Sequence, residues 1–168
     1  NNSSSPTCTL ESILSGIHYY RVHDYLEQLA LFHLLPSLIE NKYHNRIRLI
    51  IVDSITFHYR HGFDDMILRT RLLNASAHQM LSIAQKYRIA VVFMNQVTTK
   101  INSTLSTTAS SSHLAPALGE SWGHMCTNRV ILFWKNGARH AYLHKSPAKQ
   151  SSTVTYSVQK DGIRPIFS

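Results

Sequence analysis

Asp53 closes the run Leu49, Ile50, Ile51 and Val52, placing a carboxylate at the carboxyl end of an otherwise apolar segment. Such a run suits a central parallel strand covered on both faces, and parallel sheets bind their ligands at the carboxyl ends of the strands. An acid in that position can orient Mg²⁺, usually through water, on a bound nucleoside triphosphate. Gln96 stands in the same relation to a second apolar run, Ile89 to Asn95, so two polar groups end neighbouring strands at one sheet edge. The same pattern also fits a carboxylate capping a turn and a merely polar strand terminus, and the residues alone leave both readings open.

A phosphate loop of the form Gly-x-x-x-x-Gly-Lys-Ser/Thr should accompany a magnesium-orienting Asp. The segment before Asp53 has only Gly16 and no such pattern. The chain also runs from Asn1 directly into Leu10, Ile13, Leu14 and Ile17. We therefore read it as part of a longer domain.

The positioning elements follow from periodicity. Ile17 to Val22 reads as a strand, and Asp24 with Glu27 forms a capping box for a helix carrying Leu26, Ala30, Leu34 and Leu38, which Pro36 should kink or restart. Ile47 to Asp53 is the next strand. After the polar segment His58 to Asp65, a long amphipathic helix presents Leu73, Ala77, Met80, Ala84 and Tyr87, and leads into the strand Ile89 to Asn95. That alternation predicts parallel βαβ units. Thr98 to Ala117, rich in Ser, Thr and Ala, shows neither helical nor strand periodicity and reads as a loop that is functional or disordered. Gly119 to Thr127 is a short helix. Arg129 to Trp134 and Arg139 to Lys145 flank Asn136-Gly137, a type I′ hairpin signal, and Thr153 to Val158 is the last strand expected. The sheet should thus turn from parallel to antiparallel toward the C-terminus.

The 168 residues suffice for one domain with a sizeable core. Lys and Arg number 17 against 9 acidic residues, a formal charge of +8, which favours a polyanionic partner. Two cysteines, Cys8 and Cys126, make no disulfide framework, so a reducing compartment is expected. No apolar stretch reaches membrane-spanning length, and cytosol or nucleus remain. The histidines, among them His18, His23, His44 and His78, lack metal-ligand spacing. Tyr19 and Tyr20 are expected to pack on the sheet.

Several ordered blocks resemble the ATPase core of RecA/RadA-type DNA recombinases and, among the eukaryotic paralogues, the paralogue C group. They are LIIVDS at Leu49 to Ser54, RTRLLNASAHQML at Arg69 to Leu81, NQVTTKI at Asn95 to Ile101, PALGESWGH at Pro116 to His124 and KSP at Lys145 to Pro147. The resemblance runs from about Leu10 to Ile163. It implies that residues 1–168 form the C-terminal part of a RecA-like P-loop NTPase core: an α/β fold whose parallel sheet, flanked by helices, ends in antiparallel strands.

By position, Asp53 matches the Walker B carboxylate that holds Mg²⁺ through water, and Gln96 the residue that senses the γ-phosphate. His124 matches a histidine facing the nucleotide of the neighbouring protomer. The resemblance further implies ATP contacts at Ser54, Lys145 and Pro147, and DNA contacts at Arg60 in a first loop from Tyr59 to Asp65 and at Thr98, Thr99, Lys100 and Gly119 in and after a second loop. The family's phosphate loop and catalytic Glu lie upstream of the matched region.

There are departures. Main recombinases cap the neighbour's ATP with Asp-Ser-Pro where this chain has Lys145, Ser146 and Pro147, and a Lys ammonium there can replace a recruited monovalent cation. Asp64 and Asp65 would repel phosphate in the first loop, and Leu118 replaces one of two glycines after the second. The implied parent is a nuclear, ATP- and DNA-binding factor of homologous recombination acting with related paralogues on single-stranded or branched DNA. The alternative is a scaffold with a vestigial nucleotide site that docks on DNA or on partner subunits.

Overall fold

The computed structural model describes residues 9–60, 63–101, 112–116 and 118–166. A short helix, α1 (Leu10–Ser15), starts where the Thr9 hydroxyl accepts the Ser12 N–H. The chain from Ile17 to His23 then runs without strand pairing, which corrects the strand expected there. Backbone of this kind becomes a strand only beside a partner, and here side chains hold it instead. The Tyr20 and Tyr43 hydroxyls lie 2.5 Å apart, and the Lys42 ammonium donates to Tyr20 at 3.3 Å. This bond to Tyr43 draws the Tyr20 phenol below its ordinary pKa. Tyr19 and Tyr20, expected to pack on the sheet, are instead 82% and 39% exposed.

Helix α2 (Tyr25–Ser37) begins at Asp24, whose carboxylate accepts the Glu27 N–H at 2.8 Å. Glu27 reaches back to the His23 N–H, one residue earlier than a capping box requires. Its inward face carries Gln28 and Phe32, while the expected Leu26 and Leu34 are mostly exposed. Pro36 does not stop the helix. It lacks the N–H that would bond the Phe32 carbonyl, and Gln79 Nε2 supplies that donor at 2.9 Å from the next long helix. The chain then widens into a π-helical turn, Leu38–Lys42, that buries Ile39.

That long helix, α4 (Met66–Tyr87), starts where Asp65 accepts the Ile67 and Leu68 N–H groups, and ends at Arg88 in the left-handed region, φ 54°. It buries Leu73, Ser76, Ala77, Met80 and Ile83. Ser76 tolerates burial because its hydroxyl donates to the Leu72 carbonyl at 2.9 Å. Phe32, Ile39, Ile55, Tyr59, Ile89, Leu118 and Trp122 complete the core around this stripe. Met80 is fully buried at its centre. Met80→Ala is expected to cost about 2–5 kcal/mol through lost contacts and a residual cavity, read as a lower urea midpoint at unchanged slope.

Two strands, β1 (Leu49–Val52) and β2 (Ala90–Phe93), form the expected parallel pair in the register Leu49↔Ala90 to Val52↔Phe93. A one-turn helix, α3 (Phe57–Arg60), follows β1. Residues expected as a structureless loop instead supply an antiparallel pair, β3 (Val97–Ile101) with β4 (Ser112–Pro116). The run Val97, Thr98, Thr99 is rich in β-branched residues, which suit such a ladder whatever their polarity. The rest of the expected loop, residues 102–111 and 117, lies outside the described residues.

Helix α5 (Gly119–Met125) leads into β5 (Arg129–Lys135), β6 (Ala138–Lys145), β7 (Thr153–Gln159) and β8 (Gly162–Ile166). Asn136 and Gly137 both have positive φ, 52° and 73°, as the hairpin turn needs. The strand β8 was not expected. Pro165 interrupts its pattern, and an edge strand accommodates that missing donor. These four strands make a separate antiparallel sheet, so the single sheet changing direction is corrected to three sheets among the described residues. Tight hairpins pair neighbouring strands at little loop-closure cost, which favours this local sheet. One face of β5 leaves Val130, Leu132 and Trp134 more than half exposed.

Candidate nucleotide-facing site

The first half of the site lies just beyond the β1–β2 pair. Met94 N–H donates to the Val52 carbonyl at 2.9 Å, and Ile55 N–H donates to the Met94 carbonyl at 3.1 Å. These bonds extend the ladder past the strand ends and hold the Asp53–Ser54 segment beside Met94. Asp53 is exposed, and none of the three ion pairs among the described residues includes it. The Asp53–Ser54 peptide is cis. Ser54 Oγ lies 3.2 Å from Thr56 Oγ1, beneath which Ile55 and Thr56 are fully buried. Gln96, likewise exposed, follows two residues after Met94. The structure therefore brings Asp53, Ser54 and Gln96 to one edge.

Asn95 adds a residue that sequence reasoning passed over. Its side-chain Oδ1 is buried with no hydrogen-bond partner among the described residues. A buried carbonyl of this kind ordinarily meets a donor. Asn95 ends an apolar run, and nothing in its spacing marked it.

The second half is anchored to the first through aromatic packing. Trp122 of α5, 3% exposed, meets Phe93 at the end of β2 edge-on, with ring centroids 5.3 Å apart. Two residues on, His124 points its side chain to solvent. The Lys145 ammonium donates to the His124 carbonyl at 3.2 Å, bonding the last turn of α5, where a cation also complements the helix dipole. His124 and Lys145 thus share one surface, and Pro147 lies exposed just beyond β6. Their proximity was not legible locally, since they stand 21 residues apart.

The nucleic-acid assignments are more dispersed. Arg60 ends α3. Tyr59, expected to open the first loop, is instead a fully buried core residue stacked on Phe63. Asp65 closes that loop as the cap of α4, which accounts for a carboxylate where phosphate contact was expected. Residues 61–62 lie outside the described residues. Thr98, Thr99 and Lys100 stand on β3 opposite Ala115, Leu114 and His113, and Gly119 opens α5.

No group of three or more His, Cys, Asp or Glu that could hold a metal occurs among the described residues, and no described helix is long and apolar enough to cross a membrane. A lone strand-end carboxylate still suits magnesium carried on phosphates, which takes few protein ligands and keeps several waters.

Helices packed on a parallel pair, with a carboxylate and a glutamine at its carboxyl edge, define a RecA-like α/β domain. The chain belongs to the Rad51 family, whose pattern matches residues 7–166. It is 47% identical over 156 residues to DNA repair protein RAD51 homolog 3 of Cricetulus griseus, covering 93% of this chain and 40% of that protein. It is 46% identical over 158 residues to the protein of the same name in Dictyostelium discoideum, covering 94% and 40%. DNA repair and recombination protein RadA of Aeropyrum pernix is 31% identical over 90 residues, covering 52% and 27%. The chain spans about two fifths of the length of the first two relatives.

Proposed function

We propose that this chain is the nucleotide-sensing and DNA-facing part of an ATP-binding factor of homologous-recombination repair, working in the nucleus with related paralogues on single-stranded or branched DNA. The observation that carries this reading is the placement of Asp53 and Gln96 at one edge, just beyond the paired ends of β1 and β2. The names of the relatives support the repair role.

The residues present fit ATP and Mg²⁺. Among the described residues the exposed Asp53 carboxylate lacks an ion-pair partner and the Asn95 Oδ1 lacks a donor, and Ser54, next in the chain to Asp53, carries a hydroxyl. Asp53 would hold the magnesium through water, and Ser54 and Gln96 would hydrogen-bond the phosphate side. When bound, Mg-ATP supplies a concentrated negative charge that the side chains of two protomers can share. Gln96 leads directly into β3, so a change in its hydrogen bonding is passed to the strand carrying Thr98, Thr99 and Lys100. Lys145, His124 and Pro147 would hold the triphosphate of a neighbouring protomer, with Lys145 supplying positive charge.

Gln96→Ala in the full-length protein tests this coupling. ATP affinity should fall by about tenfold, the lower end of the scale of one hydrogen bond to a charged group, so the comparison is made at saturating ATP. ATP stimulation of single-stranded DNA binding should be lost. Fluorescence anisotropy with and without ATP reads both. Stimulation that survives the substitution returns Gln96 to a polar strand terminus and favours the scaffold alternative.

A further inference from the structure

Arg129 and Lys145 are direct cross-strand partners at the start of β5 and the end of β6, where the ladder also shifts register. Like charges in that relation repel unless something offsets them. Neither takes part in any of the three ion pairs among the described residues. Lys145 is partly satisfied by the His124 carbonyl, which uses one of its three donors. The Arg129 guanidinium lies over the backbone of α5 at Gly123. A Cβ there would sit 1.8 Å from Arg129 Nη2, so only glycine admits the guanidinium where it stands. Cys126 lies in the field of both cations, although burial, the larger effect, raises its thiol above the ordinary value.

We propose that Arg129 and Lys145 form a two-cation site for an oligophosphate beside His124, with Arg129 a second phosphate contact that the sequence reading did not assign. A guanidinium offers paired N–H donors that match phosphate oxygens, and two adjacent cations without a counterion are stabilised by a polyanion. The bound anion offsets the Arg129–Lys145 repulsion. This deepens the proposed function, because it takes the neighbour's triphosphate as the source of the anion.

Cys126 provides a local readout, and Cys8 is a control within the same chain. Inorganic tripolyphosphate is titrated into the full-length protein at one mildly alkaline pH, and alkylation of Cys126 and of Cys8 is followed by mass spectrometry. Anion binding cancels the two charges that favour the thiolate, so Cys126 should react more slowly while Cys8 keeps its rate. Arg129→Gln should raise the tripolyphosphate concentration for half-protection about tenfold, the scale of a charge-assisted hydrogen bond, and Arg129→Lys should recover much of that loss. Gly123→Ala, which pushes the guanidinium aside and keeps its charge, should weaken protection several-fold. It serves if Arg129→Gln does not fold.

Protection unchanged by Arg129→Gln, or by Gly123→Ala where the former is unfolded, would overturn the site, as would equal slowing of Cys8. Protection by a single-stranded oligonucleotide at lower phosphate concentration than tripolyphosphate would reassign the cations to nucleic acid and overturn it too. The reading on which it rests fails separately, if ATP-dependent assembly of the full-length protein ignores Lys145.

Discussion

Asp53→Asn in the full-length protein is expected to lower ATP-dependent activity about a hundredfold or more while leaving the melting temperature nearly unchanged. The first effect follows from chemistry: an amide of the same shape cannot supply the negative charge that orients Mg²⁺, and removing one preorganised electrostatic contact costs about that much. The second follows from the structure. Asp53 is exposed and in no ion pair among the described residues, and exposed substitutions without partners usually stay within about 0.5 kcal/mol. The bonds that hold the strand ends together use backbone atoms of Val52, Met94 and Ile55, which the substitution leaves alone. Steady-state ATP hydrolysis, ATP-stimulated DNA binding and a melting curve check the prediction together. Full activity with normal melting would make Asp53 a strand-end carboxylate and nothing more.

Lys145→Asp should weaken ATP-dependent assembly with a partner paralogue by tenfold or more and make the residue of it depend on potassium. An ammonium beside a triphosphate contributes a charge-assisted hydrogen bond, about 1.5–3 kcal/mol, and a carboxylate in its place repels phosphate until a monovalent cation intervenes. The structure adds a complication that the experiment must separate. Lys145 also bonds the His124 carbonyl, so its loss loosens the end of α5 regardless of nucleotide. Lys145→Gln resolves the two roles, since it can still donate to that carbonyl but carries no charge. It should weaken assembly less and show no cation dependence. Partner affinity is measured with ATP in potassium and in a bulky organic cation at equal ionic strength. Identical affinities for wild type and Lys145→Asp in both salts would leave Lys145 as a helix-end contact only.

The relation between sequence and structure differs from element to element. Helix α4 was legible because its burial stripe, its Asp65 cap and its length all lie within one local period. The β1–β2 pair was legible as strands because an apolar run announces one, but the expected cover on both faces is corrected among the described residues, where Leu49 and Ile51 are 52% and 59% exposed. Asp53 and Gln96 could be set at one edge because parallel strands share a direction. The hairpin at Asn136-Gly137 followed from residues that accept positive φ. Most signals carried by neighbours in the chain could be read, and β8, which pairs with the adjacent β7 and carries Pro165, was the local element missed.

Most of what failed required partners distant in sequence. Ile17 to Val22 had a strand's residues but no strand beside it, and Tyr20 found Tyr43 instead. Leu26 and Leu34 had the right spacing for a core face, yet α4 meets α2 on the side of Gln28 and Phe32. Pro36 should have broken α2, and a side chain 43 positions later, Gln79, supplied the donor to the carbonyl it orphaned. Tyr59 looked like a DNA-facing loop residue and is core.

The sequence by itself determined the family, the order of the main helices and strands, and the carboxylate and glutamine at the sheet edge, because periodicity, turn chemistry and ordered motifs are properties of adjacent residues. Only the tertiary structure decided that Trp122 docks α5 on Phe93, that Lys145 reaches His124, and that Gly123 makes room for the Arg129 guanidinium. Those contacts depend on the angle and distance at which separate elements pack, and close packing fixes that geometry through all the side chains at once.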